Sequence, residues 1–221
     1  MKKETRPIEN FSKIKFKDFG TLIINQGDAP ALTIEADDEL MPELIAEVRG
    51  DTLVLGIDDD WFNRFGKVIS SFFNSKDHQV TYHLTVVDLE KLSISGKCKL
   101  MCDSLKSEDL AIRVSGYGNL TITNLECESL DLNISGRAEF EAAGQAKKQF
   151  IKISGSGEVK AVNLASQSVR IVISGQGNAG LRVEDSLDVT ISGMGLIKYH
   201  GCPKLRQVIS GFGQSKRLNA E

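Results

Sequence analysis

Glu139 and Glu158 hold the same place in successive segments of this chain. Two carboxylates set across a bond are what glycoside hydrolysis requires. Their neighbours weaken that reading. Glu141 is matched with Lys160, and a parallel series runs Asp131, Phe150, Arg170, Asp188 and Arg206. Mixed signs of this kind read as charge pairing on a solvated surface, worth little pair by pair. Asp58-Asp59-Asp60 has the chemistry for calcium, although an acidic run also suits a helix start. His78, His83 and His200 are too scattered for a metal triad, and Cys98 with Cys102 is a weak zinc signal without further ligands. The sequence therefore leads us to expect no catalytic residue, no metal site and no cofactor.

The places of Glu139 and Glu158 are defined by a repeat. Ile or Val, Ser and Gly recur seven times, ending at Gly96, Gly116, Gly136, Gly155, Gly175, Gly193 and Gly211, with spacings of 20, 20, 19, 20, 18 and 18 residues. A period near 20 without helical patterning marks a β-solenoid in which each repeat is one coil. Two residues before the Gly stand Ile94, Val114, Ile134, Ile153, Ile173, Ile191 and Ile209. Four before it stand Leu92, Ile112, Leu132, Ile151, Ile171 and Val189, with Gln207 breaking the column in the last coil. Four after it stand Leu100, Leu120, Phe140, Val159, Ala179 and Ile197. A spacing of two is strand periodicity, so these columns point into one shared core. A further apolar column, six before the Gly, holds Leu110, Leu130, Val169, Leu187 and Leu205, giving two or three short strands per coil.

The repeat glycines are expected to be structural turn residues, where the chain turns sharply and stacked corners approach closely. Five of them open a Gly-x-Gly, at Gly118, Gly157, Gly177, Gly195 and Gly213, and this second glycine is also assigned to the corner. Phosphate binding by such a loop would need a Lys-Ser/Thr pair and a strand-to-helix setting, both missing. The repeated Ser is assigned to turn backbone groups or a hydroxyl ladder, since no His lies beside it to activate a nucleophile. The four cysteines fall at four different positions around the coil and read as free thiols acting as small hydrophobes.

Residues 1–90 are also patterned as strands, but without the Ser-Gly mark, and form an N-terminal β region of early coils or a cap; residues 91–221 are the regular repeats. One insertion, residues 58–77, departs from this. Trp61, Phe62, Phe65, Ile69, Phe72 and Phe73 recur there at helical spacing, predicting one short amphipathic helix. Its stripe either covers the solenoid or serves as an interaction patch for self-association or a partner.

With a formal charge of −3, nucleic acid is not an expected partner, and no apolar stretch is long enough to span a membrane. Several phrases carry a family resemblance. Gln26-Gly27-Asp28, Leu32 to Asp38, Leu40-Met41-Pro42 and Glu47 to Leu53 resemble the opening of the putative auto-transporter adhesin, head GIN domain family. Leu84 to Gly96 resembles its entry into the repeats, and Gly201-Cys202-Pro203 with Ile209 to Gly213 is similar to its last coil. The resemblance implies an all-β fold, a right-handed parallel β-helix of about seven coils, in a bacterial cell-envelope or extracellular protein. It implies no catalytic residues. The expected role is a non-catalytic binding surface, a putative adhesin, for a cell-surface glycan or protein. A pectinase- or lyase-like polysaccharide enzyme and a cytoplasmic scaffold are the alternatives. The second rests on Glu4-Thr5-Arg6-Pro7 standing where a signal peptide would be apolar.

Overall fold

In the computed structural model, which describes residues 1–57 and 79–218, the apolar columns do turn inward together. The N-terminal strands are β1 (Lys2–Arg6), β2 (Lys13–Phe16), β3 (Phe19–Gln26), β4 (Ala31–Ala36), β5 (Leu44–Arg49), β6 (Thr52–Ile57), β7 (Thr81–Val86) and β8 (Lys91–Ile94). Five long strands follow: β9 (Lys97–Val114), β10 (Tyr117–Ile134), β11 (Arg137–Ile153), β12 (Ser156–Ile173) and β13 (Gln176–Ile191). The chain closes with β14 (Met194–His200), β15 (Lys204–Ile209) and β16 (Phe212–Arg217). Consecutive long strands pair in parallel along almost their whole length, making a β-solenoid of about six turns, close to the expected seven.

Each long strand is one coil bent twice. In β10 the buried positions are 118, 120 and 122, then 125 and 127, then 130, 132 and 134. The alternation of two holds inside each run and skips a beat between runs, where the chain bends and the next side begins. Register irregularities fall at those bends, between Ile122 and Leu125 and between Glu141 and Ala143. Three sides thus face one interior. Ile134, Ile153, Ile173 and Ile191 are in register and wholly inaccessible to solvent, forming a vertical stack.

The third bend is the Ser-Gly corner. Ser154 and Gly155 both donate their backbone N–H to the Ile134 carbonyl, at 2.9 and 3.2 Å, and Ser156 donates to Gly136 O at 2.8 Å. The same triple contact repeats from Ser115 to Phe212. A Cβ on any repeat glycine would collide with backbone of the preceding coil; on Gly155 it would strike Gly136 O and the Ser135 carbonyl. None of the seven has a left-handed φ, so close approach, not backbone angle, is what demands glycine here. The second glycine of each Gly-x-Gly is not a corner residue, which corrects its assignment from sequence. It lies within a strand and points inward, and a Cβ on Gly177 would meet Ile153 Cδ1 at 2.8 Å.

The N-terminal strands interleave in an order unlike their sequence. β2 lies between β6 and β8, while β3 lies between β7 and β9, all in parallel pairs. Antiparallel pairs β1–β4, β4–β7 and β5–β6 then close this end. Parallel and antiparallel pairings therefore both occur in this region. Asp18, with φ +63°, takes the corner place above Gly96, and its carboxylate accepts the Ile57 N–H at 2.8 Å. Buried residues from Phe11 to Tyr199 form one continuous cluster, with Phe16 and Tyr82 ring centroids 5.7 Å apart edge to face. The expected helix over 58–77, with Trp61, Phe62, Phe65, Ile69, Phe72 and Phe73, lies outside the described residues.

One interior column turns polar midway. Gln149, between Leu130 and Val169, is buried and donates from Nε2 to Ser166 Oγ at 2.5 Å, while its Oε1 has no partner among the described residues. A lost hydrogen bond to a buried amide is costly, so this pair is a weak layer in an otherwise apolar stack.

Candidate functional site

The outward columns beside the corner define the candidate site. One after the Gly stand Tyr117, Arg137, Ser156, Gln176, Met194 and Phe212; three after it stand Asn119, Glu139, Glu158, Asn178, Leu196 and Gln214. Between them the chain carries Gly118, Ala138, Gly157, Gly177, Gly195 and Gly213, whose side-chain positions face the interior, so the floor is bare backbone. The result is a shallow trough of 840 Å³ that runs across six coils along the solenoid axis. At about 4.8 Å per coil, its length is of order 24 Å.

The trough is chemically graded. Tyr117, 49% exposed, stands at one end, and Phe212, 85% exposed, at the other. Amides and charges fill the middle, and Met194 and Leu196 make the lower part apolar. Glu139 and Glu158 are register neighbours on adjacent coils, as their matching places anticipated. Lys160 is a register partner of Glu141, yet its ammonium bonds to Glu139. That hydrogen bond and charge hold Lys160 above its usual range. From β10 to β14, backbone groups of the floor are consumed by ladders to the coils on both sides. Only side chains are therefore free to bind.

The other residues named from sequence lie apart. His83 Nε2 is 3.6 Å from Glu35 Oε2, and Lys3 bonds the same carboxylate at 2.5 Å, holding Glu35 below the usual carboxylate range. His200 ends β14, while Asp58-Asp59-Asp60 and His78 lie outside the described residues. Among the described residues, no three His, Cys, Asp or Glu side chains converge to hold a metal ion. Cys98, Cys102 and Cys127 are buried free thiols, and burial pushes them up to about 12, 11 and 12 respectively, so they stay protonated. Asp131, Phe150, Arg170, Asp188 and Arg206 do form one column in register.

Sequence reasoning missed the column of Tyr117, Arg137, Gln176 and Phe212. Its signal was present, since aligning the glycines places these residues together. They differ in type from coil to coil, so no periodicity advertises them.

Fold and trough define a β-solenoid that presents an elongated surface built from stacked coils. Residues 10–203 match the family described as putative auto-transporter adhesin, head GIN domain, and the chain belongs to that family. None of the curated proteins matches the chain. Among solved structures, it resembles a putative adhesin from Bacteroides fragilis NCTC 9343, with a TM-score of 0.81 at 23% identity, covering 98% of this chain and 96% of that one. It also resembles a putative lipid binding protein from Parabacteroides distasonis ATCC 8503, with a TM-score of 0.73 at 21% identity, covering 99% and 96% of the two chains. A putative adhesin from Parabacteroides merdae ATCC 43184 gives 0.70 at 19% identity, covering 99% and 96%. At these identities the likeness is one of fold. No helix among the described residues is long and apolar enough to cross a membrane.

Proposed function

We propose that this chain is a non-catalytic binding protein of the bacterial cell envelope, and that its trough holds a stretch of surface glycan. The observation that carries this reading is the trough itself, a continuous strip of side chains drawn from six coils. An elongated ligand is the kind that such a strip can grip along its length. The exposed rings of Tyr117 and Phe212 offer flat apolar faces to sugar C–H groups. Arg137, Gln176, Asn178 and Gln214 offer donors and acceptors to hydroxyls between them. An extended polypeptide suits the trough less well, because the floor has no free backbone ladder to pair with it. The envelope location is supported by the adhesin description of the family.

Glycan-array binding followed by titration of the best ligand tests the proposal. Tyr117→Ala with Arg137→Ala is expected to weaken binding by roughly tenfold or more, with melting unchanged because both side chains point outward. Binding unaffected by that pair would remove the trough from the account. Pectin and polygalacturonate, with and without calcium, are expected to release no unsaturated or reducing ends. Turnover lost on Glu158→Gln would establish an enzyme instead.

The aromatic segment of residues 58–77 is proposed, on its spacing alone, to bury its stripe against this chain or a second copy. Phe65→Ser with Phe72→Ser should lower the melting temperature at every protein concentration in the first case. In the second it should abolish association in sedimentation and leave the monomer folded. Unchanged melting and association together would leave a role in binding a partner.

A further inference from the structure

The two ends of the solenoid are finished differently. Antiparallel strands close the N-terminal end, whereas among the described strands β15 at the other end pairs only with β13. All six residues of β15 are exposed. Leu187 and Ile191, one coil earlier, are fully buried, but their column partners Leu205 and Ile209 are 40% and 36% exposed. Every other residue of β15 also turns its N–H and C=O away from β13, with no strand among the described residues to receive them.

Beside it, β16 has polarised its inward places. Ser215 follows Ile197 and Arg217 follows Tyr199 in register; Ser215 donates to Gln207 Oε1 at 2.6 Å, and Arg217 Nη2 donates to Cys202 Sγ at 2.6 Å. This side can end in water. The β15 side, like β16 an open ladder among the described residues, keeps Leu205 and Ile209 on its inner face, with Gln207 between them.

Charge selects what can add there. From Lys204 to Leu218 the chain has four cations, Lys204, Arg206, Lys216 and Arg217, and no acid. Cations on an edge strand commonly repel a second identical edge. Two β15 edges meeting would bring Lys204 and Arg206 of both copies together, which disfavours end-to-end pairing of this chain.

We propose that β15 is a strand-addition site for an extended polypeptide segment of a partner protein, alternating acidic and apolar residues. Apolar side chains on the inner face would cover Leu205 and Ile209. Acidic side chains on the outer face would stand over Lys204 and Arg206, and the added backbone would complete the ladder. The site is separate from the trough and does not depend on its ligand.

The test uses the full chain and a blocked peptide of alternating Glu and Val, as long as β15, with a fluorescent label. Anisotropy should show saturable binding, weakened at least about tenfold by Lys204→Glu with Arg206→Glu. Melting of that variant should match the parent, since both side chains are exposed. The same peptide with alternate backbone amides N-methylated should also lose at least about tenfold, because the ladder cannot form. No binding overturns the proposal. So does equal binding of the N-methylated peptide, which would mean mere ion exchange, or equal binding of a Lys-Val peptide. Vesicles containing phosphatidylglycerol that bind the chain while the Glu-Val peptide does not would assign this end to a membrane surface. Self-association abolished by Arg206→Glu would assign it to a second copy.

Discussion

Ile153→Asp is expected to unfold the central coils. Ile153 is wholly buried, in register with Ile134 before it and Ile173 after it. Removing its side chain forfeits about 1.5–3 kcal/mol of burial, and a carboxylate in its place has no cation or donor in an interior of Ile, Leu and Val. The carboxylate either takes up a proton or draws water into the stack, at a further cost of several kcal/mol. The sum is comparable to the whole stability of an ordinary domain, about 5–15 kcal/mol. Because each coil is held chiefly by its neighbours, the loss should spread along the rod. The measurement is thermal and urea unfolding by circular dichroism, in which the variant should lack a cooperative transition or melt far below the parent. Lys152→Asp supplies the control, because that side chain is exposed on the same strand and its variant should melt close to the parent. An unchanged transition for Ile153→Asp would place the residue outside the core.

The second large effect is expected at the corner. Gly155→Ala adds one carbon, but that carbon collides with Gly136 O and the Ser135 carbonyl, which are backbone and cannot rotate away. Relief requires the two coils to separate. Separation stretches the bonds from Ser154 and Gly155 to Ile134 O and from Ser156 to Gly136 O. Overpacking of this kind costs about 1–3 kcal/mol or more, and each weakened backbone bond adds about 1 kcal/mol. Gly177→Ala should be milder, since its nearest obstacle is the rotatable Ile153 Cδ1. Gly50 tests the other use of glycine. Its φ is +65° and nothing lies within 4 Å of an added Cβ, so Gly50→Asn should be tolerated, as Asn adopts this conformation. Denaturant midpoints should therefore rank Gly50→Asn nearest the parent, then Gly177→Ala, then Gly155→Ala. A Gly155→Ala midpoint equal to that of Gly50→Asn would contradict the close stacking of the corners.

The trough and the open edge differ in how they could be read. Glu139 and Glu158 carry a chemistry legible in the sequence, whereas the strip they share with Arg137 and Gln176 exists only once the coils are stacked. The preference of Lys160 for Glu139 over its register partner Glu141 depends on side-chain rotamers that spacing does not convey.

The repeating part of this protein was determined by its sequence. Inward positions in a strand recur every second residue, and stacked coils demand the same residue type at the same place, so Ile134, Ile153, Ile173 and Ile191 announce both strand and stack. The corner glycine is equally legible, because a Cβ would meet backbone at every turn. Tertiary structure alone decided how β2 and β3 insert among β6, β7, β8 and β9. Alternating strands without a repeat marker satisfy many pairings locally, and only the shared core chooses one. It also decided that the second glycine of Gly-x-Gly faces inward, that Gln149 meets Ser166, and that Leu205 and Ile209 stay uncovered. Each depends on what lies one coil away, a neighbour some 20 residues distant in sequence that only folding brings into contact.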